Sequence, residues 1–237
     1  MTTCAIHQPN FLPRLSTVAK LLSADVWVVL DDVQFCRRDY QHRARLARLD
    51  DPSEHQWLSL NVHLPNGRGT HIRDAVVIDA ARCQRRVGGM LEQFYARSDH
   101  WSKLSTMFAH VVDLIEKTDR LDQIAELSTR VLLDAFGWAG TVVRSSDLDA
   151  RSDRSARLAD LTRAVGADVY ICGRGGARYL EPTVFDRLGL TVDYFSQPTW
   201  IEPRIWDAGQ CVSAAWALAK YGDLNSAAPY RLGYSTV

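Results

Sequence analysis

Apolar residues recur along the chain with two different periods, and the alternation between them predicts the architecture. A short apolar start runs into "IHQPNFLP" (residues 6–13), where Pro9 forbids a helix and the polar trio His7, Gln8 and Asn10 interrupts strand alternation; the segment reads as a strand ending in a rigid turn. Leu15, Val18, Ala19 and Leu22 then fall at helical spacing, and "DVWVVLDD" is an unbroken apolar run closed by two acids. Strand, helix, strand with an all-apolar second strand predicts a parallel pair buried on both faces.

After a basic segment, "QWLSLNVHL" and "DAVVID" flank the turn residues "PNGRGT", which predicts a short antiparallel excursion. Three helices follow. The first, over 82–96, is interrupted by Gly88 and Gly89; the second starts near Ser102 with Leu104, Phe108, Val111, Val112 and Ile115 inward; the third carries Leu121, Ile124, Leu127 and Val131 and stops at Gly137. The two-residue period then returns in "TVVRSS", followed by a helix from Asp153 to Gly166, the strand "ADVYICG", the strand "LTVDYF" and a last amphipathic helix over 208–221.

These elements predict an α/β protein: a mostly parallel, Rossmann-like sheet in one domain spanning 1–237, with residues 82–136 as a helical subdomain or cap. In that topology "HQPN", "DDVQF", "RSSDL" and "GRGGARYL" all follow the carboxyl ends of strands on one edge, where open α/β sheets bind ligands.

Composition removes several classes. Lysine plus arginine equals aspartate plus glutamate at 28 each, so no global field draws in a polyanion. There is no run of some eighteen apolar residues and no basic-then-apolar export signal, so a cytoplasmic protein without membrane contact is expected. The five cysteines form no C-x-x-C pair and the histidines no H-E-x-x-H, which argues against a structural metal site. Cys36, beside arginines that favour its thiolate, has no base fixed next to it.

Candidate chemistry concentrates at the strand ends. His7 is an acid, base or neutral hydrogen-bonding group near physiological pH, or simply a loop cap. Gln8 and Asn10 can bond a ligand in both directions or form the turn. Asp31 and Asp32 end an apolar strand and need a partner, water or a cation; an ion pair with Arg37 or Arg38 is the structural alternative. Gln34, Gln41, Arg37, Arg38 and Arg43 crowd the following segment, and guanidinium forks suit a carboxylate or phosphate, so a small anionic or amino-acid-like substrate is expected. Gly173, Gly175 and Gly176 offer backbone amides to an anion but lack both the dinucleotide fingerprint and the P-loop lysine. Ser145 adds a hydroxyl, or caps its turn. Seven scattered tryptophans read as packing rather than a base-stacking platform.

The motifs "IHQPNFLP", "ADVWVVLDDVQFCRRDYQHRARL", "WLSLNV", "RSSDL", "GADVYICGRGGARYLE" and "FDRLGLTVDYF", in this order and over nearly the whole chain, resemble the WbqC-like protein family. Arg14, Leu15 and Ser16 depart from the aromatic and glycine that similar sequences carry after "FLP", and "QPTWIEPRIW" matches loosely. The resemblance implies a place in surface-glycan or specialised-metabolite biosynthesis, with acyl or aminoacyl transfer to an amine. His7, Asp31 and Asp32 are then the candidate catalytic groups, and the remaining residues above bind substrate. A donor activated by ATP with magnesium on Asp31 and Asp32, or one carried by an aminoacyl-tRNA contacting only through its acceptor end, fits this expectation. The alternative is a non-catalytic ligand-binding or complex-assembly protein holding its ligand with the same arginines.

Overall fold

The structure, a computed structural model, describes residues 1–222. Strand β1 (Thr3–His7), helix α1 (Leu15–Leu22) and strand β2 (Val26–Val29) form the first unit. A hairpin of β3 (Arg43–Ala47) and β4 (His55–Ser59) and a two-residue antiparallel pair, β5 (Val62–His63) and β6 (Val76–Val77), come next. Helices α2 (Ala80–Tyr95), α3 (Trp101–Lys117) and α4 (Leu121–Ala135) lead to β7 (Thr141–Arg144), α5 (Arg154–Ala164), β8 (Val169–Cys172), α6 (Pro182–Asp186) and β9 (Thr191–Tyr194). The described chain ends with α7 (Pro203–Gly209) and α8 (Ala214–Tyr221).

The main sheet has the order β7-β2-β1-β8-β9, and every pairing is parallel. Alternate side chains of each strand enter opposite cores. Ala5, Trp27, Val29 and Ile171 pack with α1, α4 and α8, whereas Cys4, Ile6, Val28, Tyr170 and Cys172 meet Leu158, Leu161 and Phe185 of α5 and α6. Strands buried on both faces have no polar alternation, which is why β2 and β8 read as continuous apolar runs. Successive crossovers run outward from β1 through β2 to β7, then reverse to β8 and β9. The crevice between the carboxyl ends of β1 and β8 is therefore the topological switch point, the usual ligand position in open α/β sheets.

Three local expectations change. The basic segment after β2 contains the β3–β4 hairpin: Ala44 and Leu46 face the core while Arg43 and Arg45 lie over the Trp57 ring at 4.2 and 4.9 Å, so the arginines that hid the strand form its outer face. Helix α2 passes unbroken through Gly88 and Gly89, because buried Val87, Met90, Leu91 and Tyr95 outweigh a propensity cost of about 1 kcal/mol per glycine. The last helix starts at Ala214, not 208; Ser213 caps it by accepting from the Ala215 amide, and α7 is a separate element. Helix α4 packs against α1 and α8 and shares one apolar core with α2, α3 and the sheet, on the path from β2 to β7. Among the described residues no helix is long and apolar enough to cross a membrane.

Candidate functional site

Two arrangements occupy the carboxyl edge of the sheet. At β2 and β7, the parallel register sets Val29 beside Arg144, so the residues that follow them meet. Asp31, 2% exposed, accepts from Ser145 Oγ (3.1 Å), the Ser146 amide (3.1 Å) and Ser146 Oγ (2.7 Å). Asp32 accepts from Ser145 Oγ (2.6 Å) and from Arg157 of α5 (2.5 Å). Burial opposes the Asp32 charge, yet the Ser145 hydroxyl and the Arg157 guanidinium prevail and hold the carboxyl below its ordinary range. The acid–arginine pair expected in this region exists, with Arg157 as partner instead of Arg37 or Arg38.

At β1 and β8 lies a different cluster. The His7 carbonyl is held by the Leu30 amide (3.0 Å) and Trp27 Nε1 (3.1 Å), fixing the strand end. The turn beyond is anchored to α4: the Asn10 carbonyl accepts from Thr129 Oγ1 (2.9 Å), and the Leu12 amide donates to Ser128 Oγ (2.9 Å). Leu12 carries φ +43°, a left-handed conformation that side chains normally avoid and that these contacts impose. The result points the imidazole at α1, where His7 Nδ1 lies 3.3 Å from Lys20 Nζ; its Nε2 lies 3.2 Å from the Asn10 side-chain amide. Lys20 Nζ also donates to the Ile6 carbonyl at 3.3 Å. Burial, then the positive charges of Lys20 and Arg14, push the His7 imidazole well below its usual value, so it is neutral at physiological pH.

Gln8 and Gln41 connect this cluster to the arginine segment. Gln41, fully buried, donates to Gln8 Oε1 (2.7 Å) and accepts from the Cys36 amide (2.9 Å), and the Phe11 amide donates to the Tyr40 carbonyl (2.9 Å). Arg14 stacks 4.3 Å above the Tyr40 ring. Arg43 donates to the Asp39 and Arg38 carbonyls and so closes its own loop, while Arg37 and Arg38 stay exposed. Gln34 is exposed and donates to the Arg68 carbonyl. On the other flank, Gly173 follows β8 beside Lys20: a Cβ built on it would lie 3.5 Å from Lys20 Cδ and 3.7 Å from Nζ. Gly175 and Gly176 enter a 3-10 turn, in which the Gly176 amide already bonds the Gly173 carbonyl.

The edge thus unites His7, Gln8, Asn10, Gln41 and Gly173, and separately Asp31, Asp32 and Ser145. Lys20, Arg14 and Arg157 escaped the sequence reading. Only four of the 28 basic residues are lysine, which sets Lys20 apart by composition but does not place it beside His7. Among the described residues no group of three or more His, Cys, Asp or Glu side chains is arranged to hold a metal ion, and the Asp32 carboxylate is already neutralised by Arg157.

The profile described as the WbqC-like protein family matches residues 8–202, a span holding the turn after His7, both aspartates, Lys20 and the glycine segment. The chain belongs to the WbqC-like family. It is also similar to the uncharacterized protein Rv1507c of Mycobacterium tuberculosis (strain ATCC 25618 / H37Rv), 24% identical over 197 residues that cover 82% of each chain. No solved structure matches the chain.

In this WbqC-like protein the proton positions of the inner cluster follow from donor counting. An ammonium only donates, so with Lys20 charged Nδ1 must accept and Nε2 carries the hydrogen. Its partner is then Asn10 Oδ1, a side-chain atom left buried without a partner unless the amide turns to face the ring. The cluster therefore presents a neutral imidazole N–H next to a cation. Two open depressions, of about 800 Å³ around Arg151 and Asp160 and about 510 Å³ around Arg97 and Lys220, lie elsewhere. The acids and arginines lining them are solvent-exposed or, like Asp160 with Arg151, already paired.

Proposed function

We propose that this WbqC-like protein is a small-molecule transferase that joins an acyl or aminoacyl donor to an amine in specialised-metabolite or surface-glycan biosynthesis, with its reaction centre in the β1–β8 crevice. The observation that carries this reading is the neutral His7 imidazole, fixed at both nitrogens beside a buried cation. A donor carbonyl oxygen that displaces Asn10 from Nε2 receives the N–H and is polarised. The amine nitrogen then bonds to the acyl carbon, the bond from that carbon to the oxygen or sulfur of the leaving group breaks, and the proton shed by the amine departs with the leaving group. A preorganised donor of this kind contributes about 10²–10³-fold in rate.

In this reading Asp31 and Asp32 do not touch substrate. They hold the loop after β7 and the start of α5, which form the neighbouring wall. Arg14, Arg37 and Arg38 face an anionic carrier on the donor. An adenylate made with ATP and magnesium, or an aminoacyl-tRNA held by its acceptor end, meets that requirement, and a net charge of zero disfavours a broad nucleic-acid footprint. Incubating purified protein with acyl-adenylate, acyl-thioester and aminoacyl-tRNA donors and a panel of primary amines, with amides read by mass spectrometry, tests the proposal. The expected result is an amide product whose rate falls about 100-fold or more in His7→Ala. Donors returned unchanged while still bound would instead identify a ligand-binding protein.

A further inference from the structure

Lys20 is 5% exposed, while the other three lysines are exposed to solvent. Its ammonium meets the Ile6 carbonyl and His7 Nδ1, both at 3.3 Å, with Gly173 alongside and the Cys4 and Cys172 thiols nearby. Arg14, the other charge that acts on His7, is also positive. No carboxylate among the described residues lies within ion-pair distance of it. This contrasts with every buried acid among the described residues: Asp122 pairs with Arg120 and Arg144, Glu126 with Arg130 and Arg144, Asp160 with Arg151, and Asp31 receives three hydrogen bonds. Each of these buried acids is met by a cation or by three hydrogen bonds, whereas the Lys20 cation has neither a counter-charge nor a full set of acceptors, at considerable cost.

We propose that the missing counter-charge arrives with the ligand: the crevice between His7 and Gly173 is an oxyanion-binding site whose principal partner is Lys20, and the group it takes is the phosphate or carboxylate of the donor. Two of the three ammonium hydrogens are engaged, which leaves one for an anion. Gly173 keeps that side open. A Cβ there stands at ordinary contact distance from Nζ, so a larger side chain would occupy the anion's place without straining the backbone. The proposal rests on the transferase reading for the identity of the donor only; binding of a free anion is measured without turnover.

Calorimetric titration of the full-length protein with inorganic phosphate, pyrophosphate and acetate, at fixed chloride, tests it. Wild type is expected to bind at least one of them, and Lys20→Met and Gly173→Val to bind that anion about tenfold or more weakly, as expected for losing a charge-assisted hydrogen bond. Acetate alone would assign the site to a carboxylate, the phosphates alone to a phosphate-bearing donor. Lys20→Met is expected to melt no lower than wild type in anion-free buffer, because it deletes an unpaired buried charge. No binding of any of the three by wild type, or unchanged affinity in both variants, overturns the proposal. Binding through Lys20 by a protein that forms no amide overturns the transferase reading and leaves the anion site standing.

Discussion

The carboxyl edge of the sheet has two charged corners that behave in opposite ways. At β2–β7 the Asp31 and Asp32 carboxylates are saturated by Ser145, Ser146 and Arg157. At β1–β8 the Lys20 ammonium has only neutral partners. Two acids closing an apolar strand look like catalytic groups, yet here their hydrogen-bonding capacity is taken up within the fold; in the proposed reading the corner that lacks a counter-charge is the one that takes the ligand.

The largest effect that sharpens this contrast is on stability at the saturated corner. Asp31→Ala orphans the Ser146 hydroxyl and backbone N–H and leaves Ser145 to Asp32 alone, and should lower the unfolding free energy by about 2–3 kcal/mol, seen as a melting temperature several degrees lower. The unpaired corner should respond in the opposite sense to alkali. Burial lowers the Lys20 pKa from 10.5 to about 8, against the opposing influence of the Cys172 and Cys4 thiols. Between those values the unfolded chain holds a proton that the folded one has released. Stability therefore rises with pH across that window, by on the order of 2–3 kcal/mol. Denaturant titrations at pH 7.5 and 10 should show this gain in wild type relative to Lys20→Met; identical pH profiles would mean that Lys20 is not held unpaired.

A smaller effect is expected at Asp32. Its depressed pKa contributes stability above the ordinary carboxylate value, and the contribution disappears as pH falls through the folded-state value. Asp32→Asn should cost about 1–2 kcal/mol at pH 7, and the gap to wild type should narrow steadily in melts as pH is lowered below the ordinary carboxylate range. The smallest effect belongs to Arg37→Ala and Arg38→Ala. Both side chains are exposed, and the Arg38 carbonyl that receives Arg43 is unaffected, so stability should move by no more than about 0.5 kcal/mol.

Much of this frame was legible because hydrophobic period is a strong signal. The unbroken apolar runs announced parallel strands buried on both sides, and Asp153 announced a helix start that it does cap, accepting from the Ala156 amide. The convergence of "HQPN", "DDVQF", "RSSDL" and "GRGGARYL" follows from the strand order alone. The β3–β4 hairpin was not legible, since Arg43 and Arg45 mask its alternation until Trp57 is seen beneath them. Pair identities were also hidden: Asp32 finds Arg157, 125 residues away, and no local pattern encodes that. Lys20 sits on the flank of the α1 apolar stripe, where sequence suggests solvent, and only the sheet and the glycine segment together bury it.

The central claim is that ligand enters between His7 and Gly173. Backbone amide NMR during a pyrophosphate titration addresses it most directly. The account predicts the largest shifts at His7, Lys20, Gly173 and Arg174, with Asp31, Asp32 and Ser146 nearly still. Shifts confined to residues 36–45, with Gly173 silent, would contradict it and move the site to the arginine segment.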